Sequence, residues 1–207
     1  SDPLGDGPTI QRSGEAALAA GVTTATVFDL IRTLRASTDK PLVAMTYYNP
    51  IYCYRDGGEA GFFRDLAAAG ADGVILPDLP PDEADTAIAA AREAQLDTIF
   101  LVAPTSTDER LAFVTNACRG FVYAVSVTGV TGAREATSAE VPALVARIRA
   151  VTDLPIAVGF GVANAATAAP VAAVADGVVV GSAIVKTVAD AGDVDALAQE
   201  LAEACVR

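Results

Sequence analysis

Ile156-Ala157-Val158-Gly159-Phe160-Gly161 and Gly177-Val178-Val179-Val180-Gly181-Ser182 are the stretches that decide the fold. Each is a short apolar run that ends on glycine. A third run, Phe121–Ser126, leads into Thr128-Gly129-Val130-Thr131-Gly132. Near-continuous apolar runs of this kind suit strands buried on both faces of a parallel sheet. Glycine at a strand end lets backbone N–H groups approach a ligand with no Cβ in the way. A helix starting just after Gly181 would aim its positive end at the same place, which suits a phosphate. In a parallel (β/α) barrel, the last two loops and a short extra helix build such a phosphate site. The expectation is a chain that handles a phosphorylated small molecule.

Working outward, similar β-rich runs occur at Leu42–Tyr47, Gly73–Pro77 and Thr98–Val102. Between the runs lie amphipathic, alanine-rich segments at Glu59–Ala69, Pro81–Ala94, Thr107–Ala117, Ser138–Val151 and Asn164–Ala175. Pro81-Asp82-Glu83 places proline and acids in a first turn, and Thr107 and Ser138 offer N-caps. Gly70 and Gly120 follow two of the segments, where a helix C-cap wants a positive φ. Strand and helix therefore alternate about every 25 residues, the spacing of βα repeats. The fold class expected is α/β, a (β/α)8 TIM barrel in a single domain over 1–207. About six strands are legible where a closed barrel needs eight. The chain opens on a loop and enters one helix from roughly Ile10 to Arg35 with no strand before it. A barrel lacking two strands leaves an open edge. The expectation is that about fifty residues, the first two βα units of such a barrel, precede Ser1. An open doubly wound sheet is the alternative.

Composition narrows the function classes. The 207 residues suffice for one substantial core, and 52% hydrophobic content excludes disorder. A net charge of −12 argues against nucleic acid, whose phosphates want a basic face. Phosphate must then be held locally, which backbone amides and helix dipoles do without Lys or Arg. Cys53, Cys118 and Cys205 form no framework or zinc spacing, which favours a reducing, cytoplasmic setting. With no histidine, a metal site and a Ser-His-Asp triad are disfavoured. The uncharged stretch Pro155–Ala175 carries two prolines and two glycines, so it reads poorly as a membrane span.

Several motifs in one order resemble the alpha subunit of tryptophan synthase. They are Ser1-Asp2-Pro3-Leu4-Gly5-Asp6-Gly7-Pro8-Thr9-Ile10-Gln11, Tyr47-Tyr48-Asn49-Pro50, Pro77-Asp78-Leu79-Pro80, Gly129-Val130-Thr131-Gly132, Gly159-Phe160-Gly161 and Gly181-Ser182-Ala183-Ile184-Val185-Lys186. The resemblance runs over the whole chain. It implies a (β/α)8 barrel and a retro-aldol cleavage of indole-3-glycerol phosphate to indole and glyceraldehyde 3-phosphate. It also implies a beta-subunit partner in an alpha2beta2 complex, with pyridoxal phosphate in that partner and no cofactor in this chain.

The resemblance assigns roles residue by residue. Cleavage at indole C3 needs C3 protonated, which leaves positive charge on the ring nitrogen. Asp6 is the carboxylate that would stabilise it, an electrostatic role of the preorganised kind. The plainer reading of Asp6, between Gly5 and Gly7, is an Asx turn. Asp2, before a proline, reads as a turn starter. Tyr123 would sit near the indole ring, although a buried tyrosine often needs only a partner for its hydroxyl. Thr131 and Gly132 belong to a loop that would close over substrate, with Thr131 bonding Asp6 and Gly132 offering its N–H to phosphate. Phe160 would pack the pocket wall. Gly161, Gly181 and Ser182 would surround the phosphate, against a plainer reading as tight turns. Lys186 reads as a solvated charge. Asn49, Pro77, Asp78 and Pro80 would face the partner.

One expected group has no match. The family's proton-shuttling glutamate belongs at the end of the second strand, upstream of Ser1, and Glu15 lies on the wrong element to replace it. General acid–base help contributes typically 10²–10⁴-fold, so the 207 residues alone are expected to show no useful lyase activity. Two other readings stay open. One is a regulatory subunit that binds a phospholigand without catalysis. The other is a phosphosugar isomerase or synthase on a related barrel.

Overall fold

The computed structural model describes residues 5–55, 57–125, 140–159 and 161–206. They form two compact units, one built mainly from Ala17–Phe100 and the other from Leu4–Ala16, Leu101–Asn116 and Phe121–Arg207.

The first unit holds a three-stranded parallel sheet, β1 (Val43–Met45), β2 (Gly73–Ile75) and β3 (Asp97–Ile99), in that order. Every residue of β2 is buried, as a central strand covered on both faces must be. Around it lie α2 (Thr24–Arg35), α3 (Tyr48–Tyr52), α4 (Gly58–Ala68) and α5 (Asp85–Glu93). Phe28 and Ile31 of α2 are its buried face, one turn apart. Phe28 meets Phe62 of α4 edge-on at 5.5 Å, and Tyr54 meets Phe62 at the same distance and 90°. Such tilted pairs add about 1 kcal/mol each beyond burial.

The second unit holds a four-stranded parallel sheet, β4 (Leu101–Val102), β5 (Val122–Val125), β6 (Ile156–Gly159) and β7 (Gly177–Val179). Its helices are the first part of α1 (Pro8–Ala19), then α6 (Asp108–Ala117), α7 (Glu140–Arg149), α8 (Ala165–Ala172), α9 (Ser182–Ala189) and α10 (Val194–Ala204). α7 buries Val141, Leu144, Val145 and Ile148, the spacing of one helical face. Asn164 caps α8 with a reciprocal pair of bonds to Thr167.

All six expected strands are present and parallel, with the third divided at Phe100. The N-cap at Thr107 forms, its Oγ1 accepting from the Arg110 N–H at 3.2 Å. Gly70 and Gly120 have φ of +100° and +76° as expected. The expected single helix from Ile10 to Arg35 does not form. The chain makes two helices, α1 and α2, with a break between Ala19 and Thr24. Gly21, at φ +80°, takes a left-handed turn after α1, and Thr23 caps α2 through Thr26. The expected helix over Pro81–Ala94 opens as a 3₁₀ turn at Pro81–Glu83 before α5 begins. Among the described residues no single helix is long and apolar enough to cross a membrane.

Candidate functional site

The residues expected to form the substrate site, where the structure describes them, all belong to the second unit. Gly159 is the last residue of β6 and pairs in register with Val125 of β5 and Val179 of β7. Gly161 and Gly181 therefore lie two residues beyond a matched pair, at the C-terminal ends of adjacent parallel strands. Gly161 has φ +81°, a conformation that favours glycine. Gly181 differs: its φ is −115°, and a Cβ added there would meet nothing within 4 Å. Neither backbone strain nor packing demands glycine at Gly181. Its smallness leaves open space at the start of α9, whose first residue is the half-buried Ser182. The first N–H groups of a helix have no intrahelical partner, so this is a place able to hold an anion. Lys186, one turn on, is exposed.

Tyr123, in the middle of β5, is 5% exposed. Its ring runs diagonally across to β6. A Cβ added to Gly159 would fall on the Tyr123 hydroxyl oxygen and lie 2.8 Å from Cζ, with Val179 Cβ at 3.1 Å. The aromatic ring thus occupies the space that a side chain at Gly159 would take. Burial pushes the Tyr123 hydroxyl up to about 12, so it stays neutral at physiological pH. A neutral hydroxyl beside a planar ligand can donate or accept one hydrogen bond.

Asp6 is half-buried and leads into α1. Gly7 behind it is buried, and its carbonyl accepts from the Gln11 N–H at 3.1 Å. Glu15 is exposed further along α1. Asp2, Thr131, Gly132 and Phe160 lie outside the described residues.

The residues expected to face a partner fall in the first unit. Asn49 and Asp78 are exposed, and Pro77 and Pro80 are half-buried. The Asp78 carboxylate accepts the Tyr48 N–H, at 2.9 Å to Oδ1 and 3.1 Å to Oδ2. The residue before α3, Tyr47, makes no side-chain cap, so Asp78 caps this helix from another loop. The Tyr48 hydroxyl donates to Glu59 at the start of α4, and that carboxylate is the main reason its pKa is raised to about 12. Asp78 thus ties its own loop to the 47–50 segment. Sequence reading missed this because the two groups are thirty residues apart. It also missed the role of Gly159, whose neighbour is set by strand register rather than by local sequence.

Residues 1–206 match the family model described as tryptophan synthase alpha chain. The chain belongs to that family. It is 57% identical to the tryptophan synthase alpha chain of Deinococcus radiodurans, over all of this chain and 76% of the relative. It is 52% identical to that of Nocardia farcinica, over 98% of this chain and 75% of the relative. Among solved structures, Mycobacterium tuberculosis tryptophan synthase superposes with a TM-score of 0.90 at 49% identity, covering 99% of this chain and 77% of that one. An alpha-subunit mutant from Pyrococcus furiosus gives 0.85 at 36% identity, over 98% of this chain and 83% of that one. The fold class is therefore the α/β TIM barrel of the tryptophan synthase alpha chains, as the parallel strands and strand-end glycines led one to expect. The family places the chain among lyase-type enzymes of tryptophan biosynthesis.

Proposed function

We propose that this chain binds indole-3-glycerol phosphate and serves its cleavage to indole and glyceraldehyde 3-phosphate, passing indole to a beta subunit in a cytoplasmic alpha2beta2 complex. The observation that carries the reading is the pairing of Tyr123 over Gly159 with the space left open at Gly181, on adjacent strands of one sheet. An aromatic wall at one strand end and an anion-ready helix start at the next suit a ligand with a planar ring and a phosphate.

In this reading Gly161, Gly181 and Ser182 take the phosphate through N–H groups and the Ser182 hydroxyl, without a cation. Gly132, Thr131 and Phe160 complete the enclosure. Tyr123 borders the indole. Asp6 faces the indole N–H and stabilises the positive charge that C3 protonation places on nitrogen. The indole ring itself receives the electron pair of the breaking bond, so the chain needs no cofactor. Pyridoxal phosphate serves only the beta subunit. Asn49, Pro77, Asp78 and Pro80 face that partner. A second reading, a phospholigand-binding regulatory subunit, would use Thr131, Gly132, Gly161 and Ser182 in the same way and differ in performing no cleavage.

Calorimetry with 3-(indol-3-yl)propyl phosphate and with glyceraldehyde 3-phosphate, beside an indole-release assay, tests both readings. Saturable binding of both ligands is expected. Release of indole alongside binding is expected under the lyase reading. Failure to bind either ligand overturns the proposal. Binding with no indole release, even when the beta subunit is supplied, leaves the regulatory reading.

A further inference from the structure

From Gly177 to Val206 the chain carries one cation, Lys186, against five acids, Asp190, Asp193, Asp195, Glu200 and Glu203. Three of those acids are engaged by other groups. Asp193 accepts the Ala196 N–H at 2.9 Å, Glu200 the Ala165 N–H at 3.1 Å, and Glu203 the Gln199 side-chain amide at 2.9 Å. Lys186 is exposed and makes no ion pair among the described residues. It lies four residues after Ser182, on the same face of α9. Helical side chains lean back toward the N-terminus, so this lysine leans toward the start of its helix. That start has no side-chain cap, and its first intrahelical bond runs from the Val185 N–H to the Gly181 carbonyl. The N–H groups of Ser182, Ala183 and Ile184 precede that bond.

We propose that Lys186 steers the phosphate of the ligand to the start of α9 through its charge, without ligating it. This rests on the functional reading above. A protein of net charge −12 repels a phosphorylated ligand at long range. One helical turn is about 5.4 Å, shorter than the Debye length of about 10 Å at 0.1 M ionic strength. An unpaired ammonium one turn from the helix start therefore offsets the repulsion where the phosphate arrives. The effect lies in the association rate and fades as salt rises. Because α9 is short, Lys186 also stands in its last turn, where a cation meets the negative end of the helix. That plainer role acts on stability and leaves association untouched, so the two are separable.

The proteins for the test are wild type, Lys186→Gln, Lys186→Arg and Lys40→Gln, the last making the same change in net charge in the first unit. The probe is 3-(indol-3-yl)propyl phosphate, followed in stopped flow by its own indole fluorescence, since the chain has no tryptophan. Lys186→Gln is expected to slow association about fivefold at about 20 mM ionic strength and less than about twofold at about 0.5 M, with dissociation and Tm nearly unchanged. Lys186→Arg, which keeps the charge, and Lys40→Gln are expected to associate as wild type does. A loss of the same size at both ionic strengths, a loss carried by dissociation, or no loss overturns the proposal. So does an equal loss in Lys40→Gln, which makes net charge the cause. A lowered Tm with unchanged association overturns it too, leaving only the helix-end role. A wild type that does not bind the probe overturns the functional reading itself.

Discussion

Gly159 and Tyr123 make a pair in which each residue explains the other. Tyr123 can be buried on β5 because β6 offers a position with no side chain, and Gly159 is needed there for space. An alanine would place its methyl on the tyrosine ring, and overpacking of this kind costs about 1–3 kcal/mol. Gly159→Ala is therefore expected to lower stability by that amount in urea unfolding and to weaken 3-(indol-3-yl)propyl phosphate about tenfold or more. In a Tyr123→Leu background the same change should cost far less, since its obstacle is gone. The hydroxyl carries a second expectation. Its folded pKa of about 12 lies above the value of about 10 for an unfolded tyrosine. Between those values the folded state holds the proton that the unfolded state has lost, so stability falls as pH rises. The contribution, about 2–3 kcal/mol, is fully present below pH 10 and disappears by about pH 12. Unfolding measured from pH 9 to 12 should show this decline, and Tyr123→Phe should make it shallower, leaving the share that comes from Tyr48, which is also raised to about 12.

At the scale of elements, one arrangement occurs in both units. The Asp72 carboxylate, just before β2, accepts the Leu42 N–H at 2.7 Å and pairs with Arg35 at the end of α2. Asp176, just before β7, accepts the Ile156 N–H at 2.9 Å and pairs with Arg149 at the end of α7, at 3.0 and 3.1 Å. In each case an aspartate at the start of one strand binds the start of the neighbouring strand and the last turn of the helix that precedes that neighbour. The sequence carries the mark, as Ala71-Asp72-Gly73-Val74 and Ala175-Asp176-Gly177-Val178. Both pairs are partly exposed, so the ionic part contributes little, and the bond to the strand N–H carries most of the effect. Asp176→Ala should cost about 1–2 kcal/mol in urea unfolding, and Asp176→Asn, which keeps an acceptor for Ile156, about half as much. The legibility of the elements divides along the same line. Strands such as Val122–Val125 could be read because burial on both faces writes an apolar run into the sequence. Gly161, Gly181 and Ser182 stand out locally because they lie at the ends of such runs, whereas Asp6 stands out only through the family resemblance, its local motif reading as an Asx turn. The break between α1 and α2 was also written locally, in Gly21 and the Thr23–Thr26 box, and an alanine-rich periodicity hid it. α3 was not legible, because the carboxylate that caps it comes from Asp78 on a distant loop.

For the whole molecule, the proposed function assigns ligand binding and partner binding to different units. Tyr123, Gly159, Gly161, Gly181 and Ser182 belong to one unit, and Asn49, Pro77, Asp78 and Pro80 to the other. Ligand binding and partner binding should then respond to different substitutions. Asp78 is the sharpest case, because its carboxylate is already engaged with the Tyr48 N–H inside the chain. Under the proposed function its value to a beta subunit would be to hold two segments in one arrangement before contact, which would remove an ordering cost from association. Asp78→Ala removes the cap of α3, a loss of about 1 kcal/mol for an exposed carboxylate at a helix start. That corresponds to about fivefold weaker binding of a tryptophan synthase beta subunit. The affinity of the isolated chain for glyceraldehyde 3-phosphate should not change. Asp78→Asn keeps an acceptor for Tyr48 and should recover most of the partner affinity, whereas a direct charge contact with the partner would be lost in both variants. Titration of the beta subunit against the three proteins separates these cases: equal weakening by Asn and Ala means that Asp78 acts on the partner itself, and recovery by Asn means that it acts through α3.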